Sequence, residues 1–166
     1  PGESISMKDS NNTRPSKGWI LAFHPDLICG TALGANIRDY TFFSYRPEEA
    51  LHISLREKQV ILELLDKINQ ELQRCIDCYS QKIISKYIEL LLDYCERFYE
   101  RQFITRNEAN KQIIGRFNRL LDHHFHTIQS QSADLPTIED CAGSLHLSPA
   151  YFNDLLEYET GKSFKE

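Results

Sequence analysis

Pro136-Thr137-Ile138-Glu139-Asp140-Cys141-Ala142-Gly143-Ser144-Leu145-His146-Leu147-Ser148-Pro149-Ala150-Tyr151-Phe152, continued by Asn153-Asp154-Leu155-Leu156-Glu157 and Glu159-Thr160-Gly161, is the stretch that decides the fold. It reads as two short helices around a tight turn. Pro136 ends whatever precedes it, Thr137 is a good N-cap, and Asp140 three residues on completes a capping box. Ile138, Cys141, Ala142 and Leu145 recur at helical spacing and face inward. Leu145-His146-Leu147 turns, with His146 where a residue tolerant of positive φ is needed. Ser148 caps the second helix, and Pro149 takes its first position, where the missing N–H costs nothing. Tyr151, Phe152, Leu155 and Leu156 make its packed face, and Gly161 closes it with a left-handed cap. The pattern predicts a helix-turn-helix.

Upstream, three long helices are expected. Ser54 and Glu57 form a capping box that opens the first. Ile61, Leu65, Ile68, Leu72, Cys75 and Tyr79 then alternate in spacings of four and three, a seam of nearly three heptads widened by Val60, Leu64 and Ile76. A second helix over about 81–102 carries Ile84, Ile88, Leu91, Cys95 and Phe98 in the same rhythm. Its other face holds Tyr87, Leu92, Tyr94 and Tyr99, so it needs neighbours on more than one side. Thr105 and Glu108 read as a third capping box, opening a helix with Ile113, Ile114, Phe117, Leu120, Leu121, Phe125 and Ile128 on its apolar side. Residues 130–134 are a polar linker. Two of these helices pack antiparallel, and the width of the apolar faces predicts a homodimer through Ile61, Leu65, Ile68, Leu72, Ile84, Ile88 and Leu91. Nearer the start, residues 1–17 read as a loop. Trp19–Phe23 and Tyr40–Tyr45, stopped by His24-Pro25 and Arg46-Pro47, read as two strands. Two strands make no stable sheet alone, so they must pack on helices or another chain.

Bulk properties narrow the classes. A chain of 166 residues with 41% hydrophobic and 26% charged residues has the composition of a globular protein. No apolar run approaches the roughly 20 residues that cross a bilayer, and no signal peptide is visible, so a cytoplasmic protein without a membrane partner is expected. The odd set of cysteines at 29, 75, 78, 95 and 141 reads as reduced, mostly buried thiols. No metal site is expected. Cys75 and Cys78 lack a second pair at zinc-ribbon spacing, and His123, His124 and His126 point in different directions on a helix. No cofactor or catalytic residue emerges, because His24 and Asp26 have no nucleophile or glycine loop beside them. A cupin-type enzyme would need a histidine and glutamate cluster that the chain does not supply. Arg97, Arg101, Arg106, Arg116 and Arg119 spread basic charge along the second and third helices, mostly solvated or paired with Glu96, Glu100 and Glu108. The net charge is −5, and residues 137–166 hold six acids against two lysines, a local balance of −4. That segment alone should bind DNA poorly, since phosphate contacts supply most non-specific affinity.

The same C-terminal stretch resembles the first helix-turn-helix of AraC-type transcription regulators. The small Ala142, the Leu147-Ser148-Pro149-Ala150-Tyr151 entry and the Glu159-Thr160-Gly161-Lys162-Ser163 exit carry the likeness. Gly18-Trp19, Phe23-His24-Pro25-Asp26 and Phe98-Tyr99-Glu100-Arg101-Gln102-Phe103 resemble the end of the sensor domain and the linker helices of one branch of that family. The resemblance implies a mainly α chain, α+β overall. Residues 1–53 would be the C-terminal remnant of a cupin-like sensor domain, 54–129 the linker and dimerisation helices, and 130–166 the first of two DNA-reading units. The chain would then be a fragment of a longer regulator. Expected partners are double-stranded promoter or operator DNA, a second copy, and a small-molecule effector held by the rest of the sensor domain, with RNA polymerase a further candidate. The expected DNA-contacting set is Thr137, Ser148, Pro149, Ala150, Asn153, Asp154 and Glu157. Asn153 would pair bidentately with adenine, the Ala150 methyl would meet a thymine methyl, and Ser148 at the helix start would hold a phosphate. Asp154 departs from the family pattern, where arginine often stands. The rival expectation is a helical module that binds a protein through its acidic C-terminal unit.

Overall fold

The computed structural model describes residues 18–128 and 136–165, so the loop expected over 1–17 and the linker expected over 130–134 lie outside the described residues. The chain is mainly α. Among the described residues six α-helices are formed: α1 (Ala32–Asn36), α2 (Leu55–Leu72), α3 (Ser80–Thr105), α4 (Asn107–Ile128), α5 (Ile138–Leu145) and α6 (Pro149–Thr160). No strand occurs among the described residues. The two expected strands are therefore corrected. Residues 19–23 have no regular structure, and Thr41–Ser44 is a 3-10 turn. With no partner strand to pair with, the aromatic side chains of the second segment pack on helices instead, and Phe42 stacks on Tyr99 of α3 at 5.5 Å between ring centres.

α2 and α3 form an antiparallel hairpin whose two ends are fixed by different polar contacts. At one end the Arg101 Nε of late α3 donates to Glu57 of early α2 at 2.6 Å. At the other, the Ser80 hydroxyl at the start of α3 donates to Glu71 near the end of α2. The Ser54–Glu57 capping box is formed as expected. Burial raises the Glu57 carboxyl, but the bonds from Ser54 and Arg101 outweigh it and hold it below the ordinary range. Between the helices, Leu64, Ile68, Ile84, Ile88, Leu91 and Leu92 form one buried cluster.

Two helix boundaries differ from the sequence reading. α2 stops at Leu72, so Cys75, Ile76 and Tyr79 fall in the connecting loop and are exposed, shortening the expected seam. The Gln73 and Arg74 N–H groups close α2 on the Asn69 and Glu71 carbonyls. Beyond it the Asp77 carboxylate accepts from the Tyr79 and Ser80 N–H groups, a local turn that leads into α3 and lets the chain double back. The expected Thr105–Glu108 box is also corrected. Thr105 still belongs to α3 and its hydroxyl donates back to the Gln102 carbonyl at 3.1 Å. Arg106 alone separates α3 from α4, and the buried Asn110 side chain donates to the Phe103 carbonyl at 2.9 Å to brace that corner.

Residues 25–53 run along the hairpin and end beside its far tip. Tyr40 donates to Asp93 of α3 at 2.6 Å, and Ser85 donates to the Leu27 carbonyl at 3.0 Å. Gly34 of α1 is required here, because a Cβ would stand 2.1 Å from the Ile28 carbonyl oxygen. Gln102, 2% exposed, accepts from the His52 N–H at 2.7 Å and fixes the descent into α2. α5 and α6 then pack on α4 around Phe117, Cys141, Ala142, Leu145, Phe152 and Leu156.

Candidate nucleic-acid interface

α5 and α6 are joined by His146, Leu147 and Ser148, and every local signal in their sequence is realised. Thr137 and Asp140 exchange a reciprocal pair of bonds at 3.2 Å each, and the Thr137 hydroxyl donates to the same carboxylate at 2.7 Å. These bonds hold the Asp140 carboxyl below its usual range. His146 ends α5 at φ 61°, ψ 35°, the one non-glycine residue at positive φ among those described. The Leu147 N–H reaches back to the Ala142 carbonyl at 2.9 Å, closing a left-handed cap. Ala142 is fully buried, so a larger side chain would push α5 off the core. Ser148 accepts from the Tyr151 N–H at 3.2 Å, and Gly161 at φ 71° closes α6.

With Tyr151, Phe152, Leu155 and Leu156 buried, Ala150, Asn153, Asp154 and Glu157 are left on the side of α6 away from the core. Pro149, Glu157 and Thr137 are exposed, whereas Ala150, Asn153 and Asp154 are half-buried. Four of the expected contact residues are engaged within the chain, Thr137 with Asp140 and three on or at the start of α6. The Asn153 Oδ1 accepts from the Phe164 N–H at 3.1 Å, so a bidentate grip on adenine would have to share that oxygen. Asp154 accepts from the Tyr45 hydroxyl at 2.6 Å. Ser148 is buried, and both its donors go to one carboxylate: its N–H to Glu49 Oε1 at 2.6 Å and its hydroxyl to Glu49 Oε2 at 2.5 Å. Glu49 is itself 4% exposed and also accepts from the Arg46 N–H at 2.7 Å.

Sequence reading missed Tyr45 and Glu49. They lie 109 and 99 residues before the side chains they bind, and nothing local in Arg46-Pro47-Glu48-Glu49 names a distant partner. The contact is reinforced by a run of rings. Tyr45 packs edge-on against Tyr99 and Tyr151, each at 5.1 Å, and Tyr151 packs in turn on Phe103 at 5.3 Å. Burial raises the Tyr45 hydroxyl strongly, and the Asp154 bond raises it further, so it stays a donor at neutral pH.

The surroundings divide by charge. Beside α6, a cavity of about 340 Å³ is ringed by Asp39, Glu96, Glu100, Asp154 and Glu157. Burial pushes the Glu96 carboxyl up, followed by repulsion from Asp93, Glu100, Asp154 and Asp39. Between α4 and α5, Arg116, Arg119 and His123 line a shallow cleft with Ser144. The remaining expected arginines sit differently: Arg101 pairs with Glu57, Arg106 bonds the Tyr151 hydroxyl, and Arg97 lies over the Tyr94 ring.

Of the seven side chains expected at a dimer seam, Ile68, Ile84, Ile88 and Leu91 are buried between α2 and α3 of one chain. Ile61 and Leu65 are half-buried beside them, and Leu72 is 60% exposed. Cys29, Cys75 and Cys78 are exposed, which corrects the expectation of mostly buried thiols; Cys141 is buried and Cys95 partly so. Burial pushes the Cys95 thiol up to about 11. Among the described residues no group of three His, Cys, Asp or Glu side chains gathers as a metal-ligand set, and no helix is long and apolar enough to cross a membrane. Compared with family models, curated proteins and solved structures, the chain matches none.

Proposed function

We propose that this chain is part of a sequence-specific, DNA-binding transcription regulator of AraC type, with α5 and α6 as a helix-turn-helix and α6 as the reading helix. The observation that carries the reading is the geometry of the α5–α6 turn: a left-handed His146, a fully buried Ala142 at the helix crossing, and a Ser148-Pro149 start. That geometry holds the N-terminal half of α6 as a unit that can enter a major groove. Ala150, Asn153, Asp154 and Glu157 form the base-facing row. Arg116 and Arg119 on α4 supply positive charge on the same unit and are the proposed phosphate contacts. Residues 18–53 are proposed as the tail of a ligand-binding sensor domain, and α2–α3 as the linker through which the effector's bias reaches α6.

The test is recovery of preferred duplexes from a randomised pool, followed by binding across salt. Affinity should fall steeply with added salt, and Asn153→Ala should cost about 1–3 kcal/mol of discrimination at one position. No binding at low salt, by the chain or by its Tyr45→Phe, Glu49→Gln double variant, sinks the reading. Dimerisation is proposed through the accessible residues of the seam, Ile61, Leu65 and Leu72. Replacing Leu65 and Leu72 with Asp should give a monomer by sedimentation, and a dimer that survives both changes would exclude these residues from the interface.

The acidic cavity beside α6 favours a second reading, a helical module that grips a basic protein segment. A salt-insensitive interaction with DNA, or none, would favour it.

A further inference from the structure

We propose that the segment Tyr45–Glu49 is an autoinhibitory latch that holds α6 in a DNA-incompetent state. The inference rests on α6 being the reading helix and adds how that helix is controlled. The start of a helix is where backbone N–H groups and the helix dipole attract a phosphate. In this chain that place is already taken. Glu49 delivers a carboxylate to the Ser148 N–H and hydroxyl at 2.6 and 2.5 Å, the same donors a DNA phosphate would use. A carboxylate there also adds a negative charge facing the incoming backbone.

Tyr45 closes the second half of the device. Its hydroxyl holds Asp154 at 2.6 Å, on the row that would meet base edges. Its ring lies between Tyr99 of α3 and Tyr151 of α6, so the latch stands in the groove between the helical hairpin and the reading helix. DNA cannot occupy the α6 start while Glu49 stays. The anchor is a 3-10 turn, Pro47–Glu49, between Tyr45 and the descent into α2. A rotation of this short turn would withdraw both side chains together without unfolding α5 or α6. Upstream, the same polypeptide runs along α3 through Tyr40, which donates to Asp93. Anything that shifts residues 25–45 against α3 therefore acts on the latch. The apparent affinity for DNA is the open-state affinity scaled by the fraction open.

The test compares the full chain with Tyr45→Phe, Glu49→Gln and the double variant, on a duplex selected with the double variant at low salt. Amide exchange at Ser148–Asn153 is followed in parallel. The latch predicts faster exchange over that stretch, unchanged exchange in α5, and DNA affinity raised about tenfold or more in the double variant. Faster exchange with unchanged or weaker DNA binding overturns the latch and leaves the DNA-binding reading standing. Failure of every variant and of the parent to bind any duplex overturns both. Should Glu49→Gln fail to fold, Tyr45→Phe carries the comparison, because it keeps both ring contacts and loses only the hydroxyl's bonds to Asp154 and Thr41.

Discussion

α5 and α6 belong to the same small unit, their N-caps Thr137 and Ser148 eleven residues apart, yet the two caps are completed differently. The start of α5 is self-contained: Thr137 and Asp140, three residues apart, satisfy one another. The start of α6 has its local cap too, Ser148 accepting from the Tyr151 N–H, but Ser148's own two donors are taken by Glu49 from 99 residues upstream. A local cap forms whenever its helix forms. An imported cap forms only when two parts of the molecule are docked, and it is lost when they separate. The first serves folding; the second reports on arrangement.

The largest effect should come from the core beneath both caps. Phe152 is fully buried against Phe117 and Phe164. Phe152→Ala should cost about 3–5 kcal/mol and abolish both caps together, measured by chemical denaturation and by amide exchange in α5 and α6. Equal protection of α5 and α6 in that variant and the parent would mean the two helices do not share a core.

Next in size is the imported cap. Glu49→Ala orphans buried donors on Ser148 and should cost about 1–3 kcal/mol, whereas Thr137→Ala should cost about 0.5–2 kcal/mol as an ordinary N-cap loss. The two respond differently to acid. The Asp140 carboxyl is held below its usual range, so its share of stability is present above the unfolded-state value and is lost as pH falls through the folded-state value. The penalty of Thr137→Ala should therefore shrink on acidification. A penalty that stays constant from pH 7 down to pH 3 would show that the box contributes no pH-linked stability.

What the sequence made legible follows the same division. The caps at Ser54, Thr137 and Ser148, the left-handed His146 and Gly161, and the inward faces of α5 and α6 are all set by residues within four positions of one another. The failures are the features set at a distance. Tyr40–Tyr45 has the composition of a strand, but without a neighbouring strand its rings turn to α3 and α6. The apolar spacing of the α2 seam continues past Leu72, but the helix closes at Gln73 and Asp77 turns the following backbone into α3. Thr105 looked like a cap, and α3 simply runs through it. Ala150, Asn153, Asp154 and Glu157 lie on α6, and the sequence carries no sign that Tyr45 binds Asp154 or that Glu49 binds Ser148.

The most direct measurement is the binding of the full chain to a selected duplex over a range of salt, beside Asn153→Ala. The account predicts an affinity that falls linearly with salt on logarithmic axes, and a loss of sequence preference in Asn153→Ala with the salt slope kept. An affinity independent of salt, or a variant that reads sequence as well as the parent, would contradict α6 as the reading helix.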